Sequence, residues 1–294
     1  MALAKDTAEE EGVVGARREK SALGLVLAHR GVLMGGGLLL AMVLVAIVGP
    51  NFTADPMALN PTHRLKPPSM ELWFGTDFLG RDVFARVVSG ARVSLVVGVA
   101  VAAVAVAIGL FLGMIAGYIR ALDAPIMRIM DGLMSIPGIL LAIALVSLSG
   151  ATLMTVIVAI VVPEIPRVVR LVRSVVLTVR EEPYVEAAIA AGTRTPLVMT
   201  RHILPNTIAP LIVQATYICG SAMLLEAILG FLGAGIPPEI PSWGNIMSEG
   251  RTYFQISPWI IFYPGIALAI TVLAVNVMGD GLRDTLDPRI ARKM

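Results

Sequence analysis

The sequence has few of the residues that build disulfide frameworks or metal centres. Its 294 residues include one cysteine, Cys219, which excludes an internal disulfide and a cysteine-based metal cluster. The three histidines, His29, His63 and His202, stand far apart, whereas metal sites on helices use closely spaced ligands. Without converging histidines or metal ligands, we expect no metal site and no catalytic residue in this chain.

Charged residues are also scarce. They make up 15% of the chain, against 56% hydrophobic residues, and the mean hydropathy is +0.82. Because so little polar surface cannot cover a soluble domain, we expect contact with membrane lipid and no nucleic-acid partner. The Gly-x-x-x-x-Gly-Lys-Ser/Thr phosphate loop is absent, so the chain cannot hydrolyse ATP by that route, and we expect it to bind no cofactor.

Long uncharged runs predict an all-α membrane protein with six transmembrane helices. A helix needs roughly 20 residues to cross a hydrocarbon core of about 30 Å. Four runs are long enough: Arg30 to Asp55, Arg92 to Arg120, Arg201 to Glu226, and Arg251 to Asp280. A further run, between Asp131 and Glu164, is too long for one span. It predicts a third helix from near Met127 and a fourth to about Val172, joined by a turn at 147–152.

Two acids flank that run and need partners near the membrane face. Arg128 precedes Asp131 by three residues and Arg167 follows Glu164 by three, a spacing that brings opposite charges together on a helix. We expect each acid to pair either with its neighbouring arginine or with a sister subunit. Such pairs are either interfacial, without a transport role, or groups that serve transport.

The basic residues predict which side of the membrane the termini occupy. Six spans place both termini on one side, and most lysines and arginines fall on that same side. The other side has only Arg64, Lys66, Arg81, Arg86, Arg92 and Arg251. By the positive-inside rule, both termini are expected in the cytoplasm of a bacterial cell, with the protein in its inner membrane.

One cytoplasmic stretch, 178–210, is rich in alanine and arginine. A proline and then Glu186 in the first turn predict a short helix over Tyr184–Ala191. Gly192 is placed to end that helix, and a second helix is expected over 196–205, between two prolines. This elbow is too small to be a domain, so it either lies on the membrane surface or docks into another protein.

The elbow resembles the EAA loop of ATP-binding-cassette importer permeases. The resemblance is carried by Tyr184-Val185-Glu186-Ala187-Ala188, Gly192 and Ile203-Leu204-Pro205-Asn206. Many members of the family carry isoleucine at the position of His202, but a histidine there resembles the peptide-transporter branch.

Other stretches resemble the second permease subunit of the dipeptide, oligopeptide and nickel importers. They are Gly75–Asp82, Glu226–Gly233, Pro241–Gly244 and Gly279–Asp284. This resemblance implies a cytoplasmic N-terminal tail (1–30), a first helix with the outer loop of that branch (31–92), an importer type I transmembrane domain (93–281) and a cytoplasmic C-terminal tail (282–294). The elbow then lies between helices four and five.

The family resemblance also implies partners. They are a homologous second permease subunit in a heterodimer, two ATPase subunits that use ATP, and an external substrate-binding protein. The residues expected to couple to the ATPases are Glu186, Ala187, Ala188, Gly192, Leu204 and Pro205. Such a chain forms half of a translocation pathway for di- or oligopeptides or a related small solute. A self-sufficient secondary transporter is the alternative.

Two further predictions concern the helix bundle. Glu226, near the outer end of the fifth helix, is a candidate gate residue, because ionisable groups at membrane depth usually face a cavity or a partner. Gly113 and Gly117 form a small-x-x-x-small pair suited to packing against the sister permease.

Overall fold

The computed structural model describes residues 29–286, and every regular element in that range is a helix. Of the predicted tails, 1–28 and 287–294 lie outside the described residues, whereas 282–286 continue the last helix. The helices are α1 (Arg30–Val48), α2 (Val83–Tyr118), α3 (Arg120–Met134), α4 (Gly138–Ser149), α5 (Leu153–Val179), α6 (Pro183–Ala190), α7 (Thr195–Val198), α8 (Leu204–Phe231), α9 (Trp243–Gly250) and α10 (Trp259–Leu286).

The central contact of the bundle is a seam between α2 and α5. Gly109, Gly113 and Gly117 recur every fourth residue on α2, so one face of that helix carries no side chains. Valines at the matching spacing on α5 fill this face: Val168, Val172 and Val176, all buried. The expectation that Gly113 and Gly117 contact a sister permease is therefore wrong, because α5 of the same chain occupies that face.

The first and last helices pack against each other and bring their ends together. A Cβ on Gly35 of α1 would meet the Ala274 carbonyl of α10 at 2.7 Å, so only glycine permits this approach. His29 and Asp284 lie 3.8 Å apart, which places the start of α1 beside the end of α10. The predicted first helix is confirmed, since α1 covers Arg30–Val48.

The predicted third helix is wrong in one respect, because the chain breaks where a continuous helix was expected. Helix α3 begins at Arg120 and ends at Met134, and α4 follows at an angle of 87°. Pro137 has an extended ψ of 125° and cannot continue α3. The break leaves α4 only 12 residues long.

The arginines of α5 pair across to α3. Asp131 accepts a hydrogen bond from Arg170 at 2.6 Å, so its predicted pairing with Arg128 is wrong. Asp123 takes two bonds from Arg173, at 2.5 and 2.6 Å. Lateral packing of α3 on α5 offers these acids a partner on another helix in place of one on their own.

Helix α5 is longer than the sequence predicted. Thr152 caps its start after the expected turn, where Gly150 has a φ of +82°, and the helix continues to Val179 in place of about Val172. Two prolines inside it, Pro163 and Pro166, do not end it.

Among residues 29–286, four helices are long and apolar enough to cross a membrane, or five if α3 and α4 form one broken span. Helix α5 is not among them, since Glu164, Arg167 and Arg170 interrupt its apolar sequence. The chain is thus an all-helical membrane protein with four or five such spans.

Gly113→Leu should disrupt the seam. A Cβ there would lie 2.7 Å from Val172 Cβ and 2.9 Å from the Val169 carbonyl, so we expect a loss of about 1–3 kcal/mol from overpacking. Thermal unfolding of the purified protein in detergent measures the effect. Gly37→Leu is the control, because no atom lies within 4 Å of its Cβ position. Equal melting temperatures for the two variants would contradict the seam.

Candidate functional site

The elbow, defined here as 183–205, has the predicted first helix and turn. Helix α6 begins with Pro183 at its first position and carries Glu186 in its first turn. Gly192 then takes a φ of +81°, a conformation that favours glycine. Its N–H donates to the Ile189 carbonyl at 2.9 Å, and Thr193 N–H donates to Ala188 at 3.1 Å, which closes the helix.

One face of the elbow is anchored to the bundle. Val185 and Val198 are fully buried and join the same apolar core as the α2–α5 seam. Asn206, near the start of α8, donates a hydrogen bond to the Tyr184 hydroxyl at 3.1 Å. A force on the elbow is therefore transmitted to the helices behind it.

The opposite face of the elbow is exposed. Glu186 and Ala187 lie on it, beside Tyr184, Ile189 and Leu197, whose side chains are 46%, 48% and 48% exposed. Small alanines flanked by half-exposed apolar side chains form a surface that another protein can approach closely.

The predicted second helix does not end at Pro205. A π-turn over Met199–Ile203 follows α7 directly, and Leu204 N–H donates to the Met199 carbonyl. Pro205 then lies in the first turn of α8, where its missing N–H is tolerated. The wider π-turn lets one helix of 37 residues, Thr195–Phe231, pass through the proline.

Glu226 is wholly buried, and its role as a gate residue stays a prediction. Ser94 of α2 donates to its Oε2 at 3.2 Å. This contact ties α8 to α2 inside the bundle.

A buried charge cluster in the two segments that were predicted to lie on the outer side was missed by the sequence reasoning. It consists of Asp77, Arg81, Arg86 and Glu249 and is called the outer network here. Arg81 Nε donates to Asp77 Oδ2 at 2.6 Å, and Arg86 Nη1 donates to the same oxygen at 2.8 Å. Both arginines also reach Glu249 Oε2 of α9, each at 2.5 Å. Asp77 and Arg86 are fully buried.

The outer network joins three separated parts of the chain. Asp77 and Arg81 belong to the loop before α2, Arg86 to α2 itself, and Glu249 to α9. Trp243 of α9 adds a hydrogen bond from its indole N–H to the Val87 carbonyl at 3.0 Å. Burial raises the pKa of Asp82, which caps α2, while the N–H groups of Phe84 and Ala85 oppose that rise.

A cavity of about 380 Å³ opens between the α3–α4 break, α5 and α8. Most of its wall is apolar, but Glu164, Arg167, Tyr217 and Ser221 also line it. The predicted pair of Glu164 with Arg167 is confirmed, with Arg167 Nη1 3.2 Å from each carboxylate oxygen. Glu164 is the twelfth of the 27 residues of α5, so the pair lies near the middle of that helix and not at its end.

Residues 105–292 match the family model of the binding-protein-dependent transport system inner membrane component. The chain belongs to this family. It is 57% identical over 265 residues to a probable peptide ABC transporter permease protein of Sinorhizobium fredii, covering 90% of this chain and 91% of the relative. It is 45% identical to a dipeptide transport system permease protein of Alkalihalophilus pseudofirmus, covering 85% and 83%.

A solved methionine ABC transporter, MetNI, in an inward-facing conformation has a similar fold. The TM-score is 0.50 at 22% identity, over 66% of this chain and 94% of the other. The protein is thus a multi-pass inner-membrane permease with the importer fold, and separate ATPase subunits hydrolyse the ATP. It is not itself an enzyme, and the alternative of a self-sufficient secondary transporter is excluded.

The outer network of the permease should be sensitive to removal of one charge. Asp77→Asn leaves Arg81 and Arg86 short of a buried anion, which should cost about 3–5 kcal/mol. We expect a lower melting temperature and faster proteolysis of loop 52–82. Glu71→Gln is the control, since Glu71 is exposed on the same loop. Identical proteolysis rates for the two variants would show that the network does not hold the loop.

Proposed function

We propose that this permease forms half of the translocation pathway of a di- or oligopeptide importer. Two observations support a peptide as the cargo. The chain belongs to the permease family, and the relatives from Sinorhizobium fredii and Alkalihalophilus pseudofirmus are named for peptide and dipeptide transport. The chain's cavity is open on one side, which fits a pathway that a second, homologous permease completes as a heterodimer. An external substrate-binding protein delivers the peptide.

The energy of ATP hydrolysis reaches the permease through the elbow. The geometry of the elbow is the observation that carries this proposal. A surface with one face in the apolar core and the other exposed can pass a movement of a docked ATPase to the helices. The residues proposed for this role are Glu186, Ala187, Ala188, Gly192, Leu204 and Pro205. One of two ATPase subunits docks on this elbow and the other on the sister permease.

The proposed topology has six spans with both termini in the cytoplasm. Helix α5 is the added span, and the broken pair α3–α4 is another. Five arginines lie from Arg170 to Arg201, in the second half of α5 and around the elbow, and by the positive-inside rule this supports a cytoplasmic elbow. The start of α1 and the end of α10 are adjacent, which fits an even number of crossings.

Glu186→Arg should weaken the contact that couples the ATPase to the permease. The reversed charge lies on the exposed face of α6, so folding is spared, while an unfavourable charge at the docking surface weakens the ATPase contact. We expect cargo-stimulated ATP hydrolysis and peptide uptake by the reconstituted complex to fall at least about tenfold, since roughly 1.4 kcal/mol corresponds to a factor of ten.

Glu181→Arg is the matched control for this elbow experiment. Glu181 lies just before α6, and its side chain is 75% exposed. Equal losses in the two variants would argue against a specific contact at Glu186. Full uptake by Glu186→Arg would remove that residue from the coupling surface.

Cysteine labelling should test the topology. In a Cys219→Ser background, Ser149→Cys lies at the exposed end of α4, before the turn to α5, and Ala191→Cys lies in the elbow. A membrane-impermeant maleimide added to spheroplasts should label Ser149→Cys directly and Ala191→Cys only after permeabilisation. The reverse pattern would overturn the orientation, and labelling of both from outside would remove α5 from the spans.

A further inference from the structure

The ion pair in the cavity lies deep along its helix. Glu164 follows the start of α5 by eleven residues, which corresponds to about 16 Å along the helix axis. In the proposed topology α5 is a span, and charged groups within a span are costly and usually face a partner or a water-filled space. Here they face the cavity, together with Tyr217 and Ser221 of α8.

Arg167 is held less firmly than the other arginines of the same helix. Arg173 donates two hydrogen bonds to Asp123, from Nε at 2.5 Å and from Nη2 at 2.6 Å. Within residues 29–286, Arg167 donates hydrogen bonds only from Nη1. Both go to Glu164, and each is 3.2 Å long. A guanidinium carries five N–H donors in a planar fork, so most of its donor capacity remains available to a second acceptor.

The exposures of the two side chains are also unequal. The Glu164 side chain is 8% exposed, whereas that of Arg167 is 46% exposed. Arg167 also lies 6.0 Å from the centre of the Tyr217 ring, so the ring supports the guanidinium from α8. Glu164 is thus buried behind Arg167, and Arg167 faces the opening of the cavity.

We propose that Arg167 binds the terminal carboxylate of the peptide while the peptide crosses the membrane, a role that rests on the proposed function. Its unused donors match a carboxylate, which guanidinium groups bind with two parallel hydrogen bonds. Glu164 neutralises Arg167 in the empty pathway and remains beside it when cargo arrives, so the carboxylate is held weakly and released.

This choice of ligand follows from what peptides share. Every unmodified peptide ends in a carboxylate, whatever its side chains are, so a site for that group serves cargo of many sequences. The cavity volume of about 380 Å³ is near the lower limit for ligand pockets, which fits one end of a peptide. The apolar remainder of the wall adds no demand for a particular side chain.

The test compares two tetra-alanine peptides, one with a free carboxylate and one with a C-terminal amide. The complete transporter is reconstituted in proteoliposomes with its binding protein loaded equally by either peptide. Glu164→Gln with Arg167→Gln removes both charges together and avoids a buried unpaired acid. We expect acid uptake to fall about tenfold and amide uptake less than twofold, since only the acid loses a charge-assisted hydrogen bond.

A single variant supplies a change in the opposite direction. Glu164→Gln frees Arg167 from its standing partner, so the preference for acid over amide in direct competition should rise at least about threefold. The control is Asp131→Asn with Arg170→Gln, which removes an ion pair between α3 and α5 outside the cavity. This control should leave the acid-to-amide ratio as in the wild type.

The outcomes separate this proposal from the one on which it rests. If the wild type carries both peptides and the ratio is unchanged in both Glu164 variants, the carboxylate site is wrong and the peptide importer stands. A control that changes the ratio as much as the cavity variants also overturns the site. If the wild type carries neither peptide, the proposed cargo fails and the carboxylate site fails with it.

Discussion

The close contact of α2 with α5 is the constraint on which the rest of the bundle depends. Glycines on one helix and valines on the other let the two backbones approach without gaps, and in a bilayer such packing replaces the hydrophobic driving force that water supplies. Helix α2 carries the outer network at its start, and α5 carries Glu164 and Arg167 in its middle and leads to the elbow at its end. The seam therefore fixes the three sites relative to one another.

The two ends of the permease are stabilised by different physics. In the outer network, a nearly dry cluster of four charges holds the loop before α2 against α9, and its acids and bases balance. At the elbow, two buried valines hold a small helix whose other face stays exposed. Ion pairs thus stabilise one end of the chain's fold, and apolar packing stabilises the other.

Much of the fold could be predicted from the sequence, because membrane helices consist of long uncharged runs. The first helix, the turn at Gly150 and the helix ended by Gly192 all followed from local rules. The pairing of Asp131 with Arg170 could not be predicted, since it depends on how α3 packs on α5. The outer network was missed for the same reason: Glu249 lies more than 160 residues from both arginines. The burial of Glu226 likewise depends on α2.

The π-turn at Met199–Ile203 has a structural consequence. The helix continues from Thr195 through Pro205 and Pro210 to Phe231, so the second arm of the elbow and the cavity wall at Tyr217 belong to one helical segment. From Thr195 to Tyr217 that segment is about 33 Å long. The exposed surface at the elbow and the lining of the cavity are thus parts of a single element of the fold.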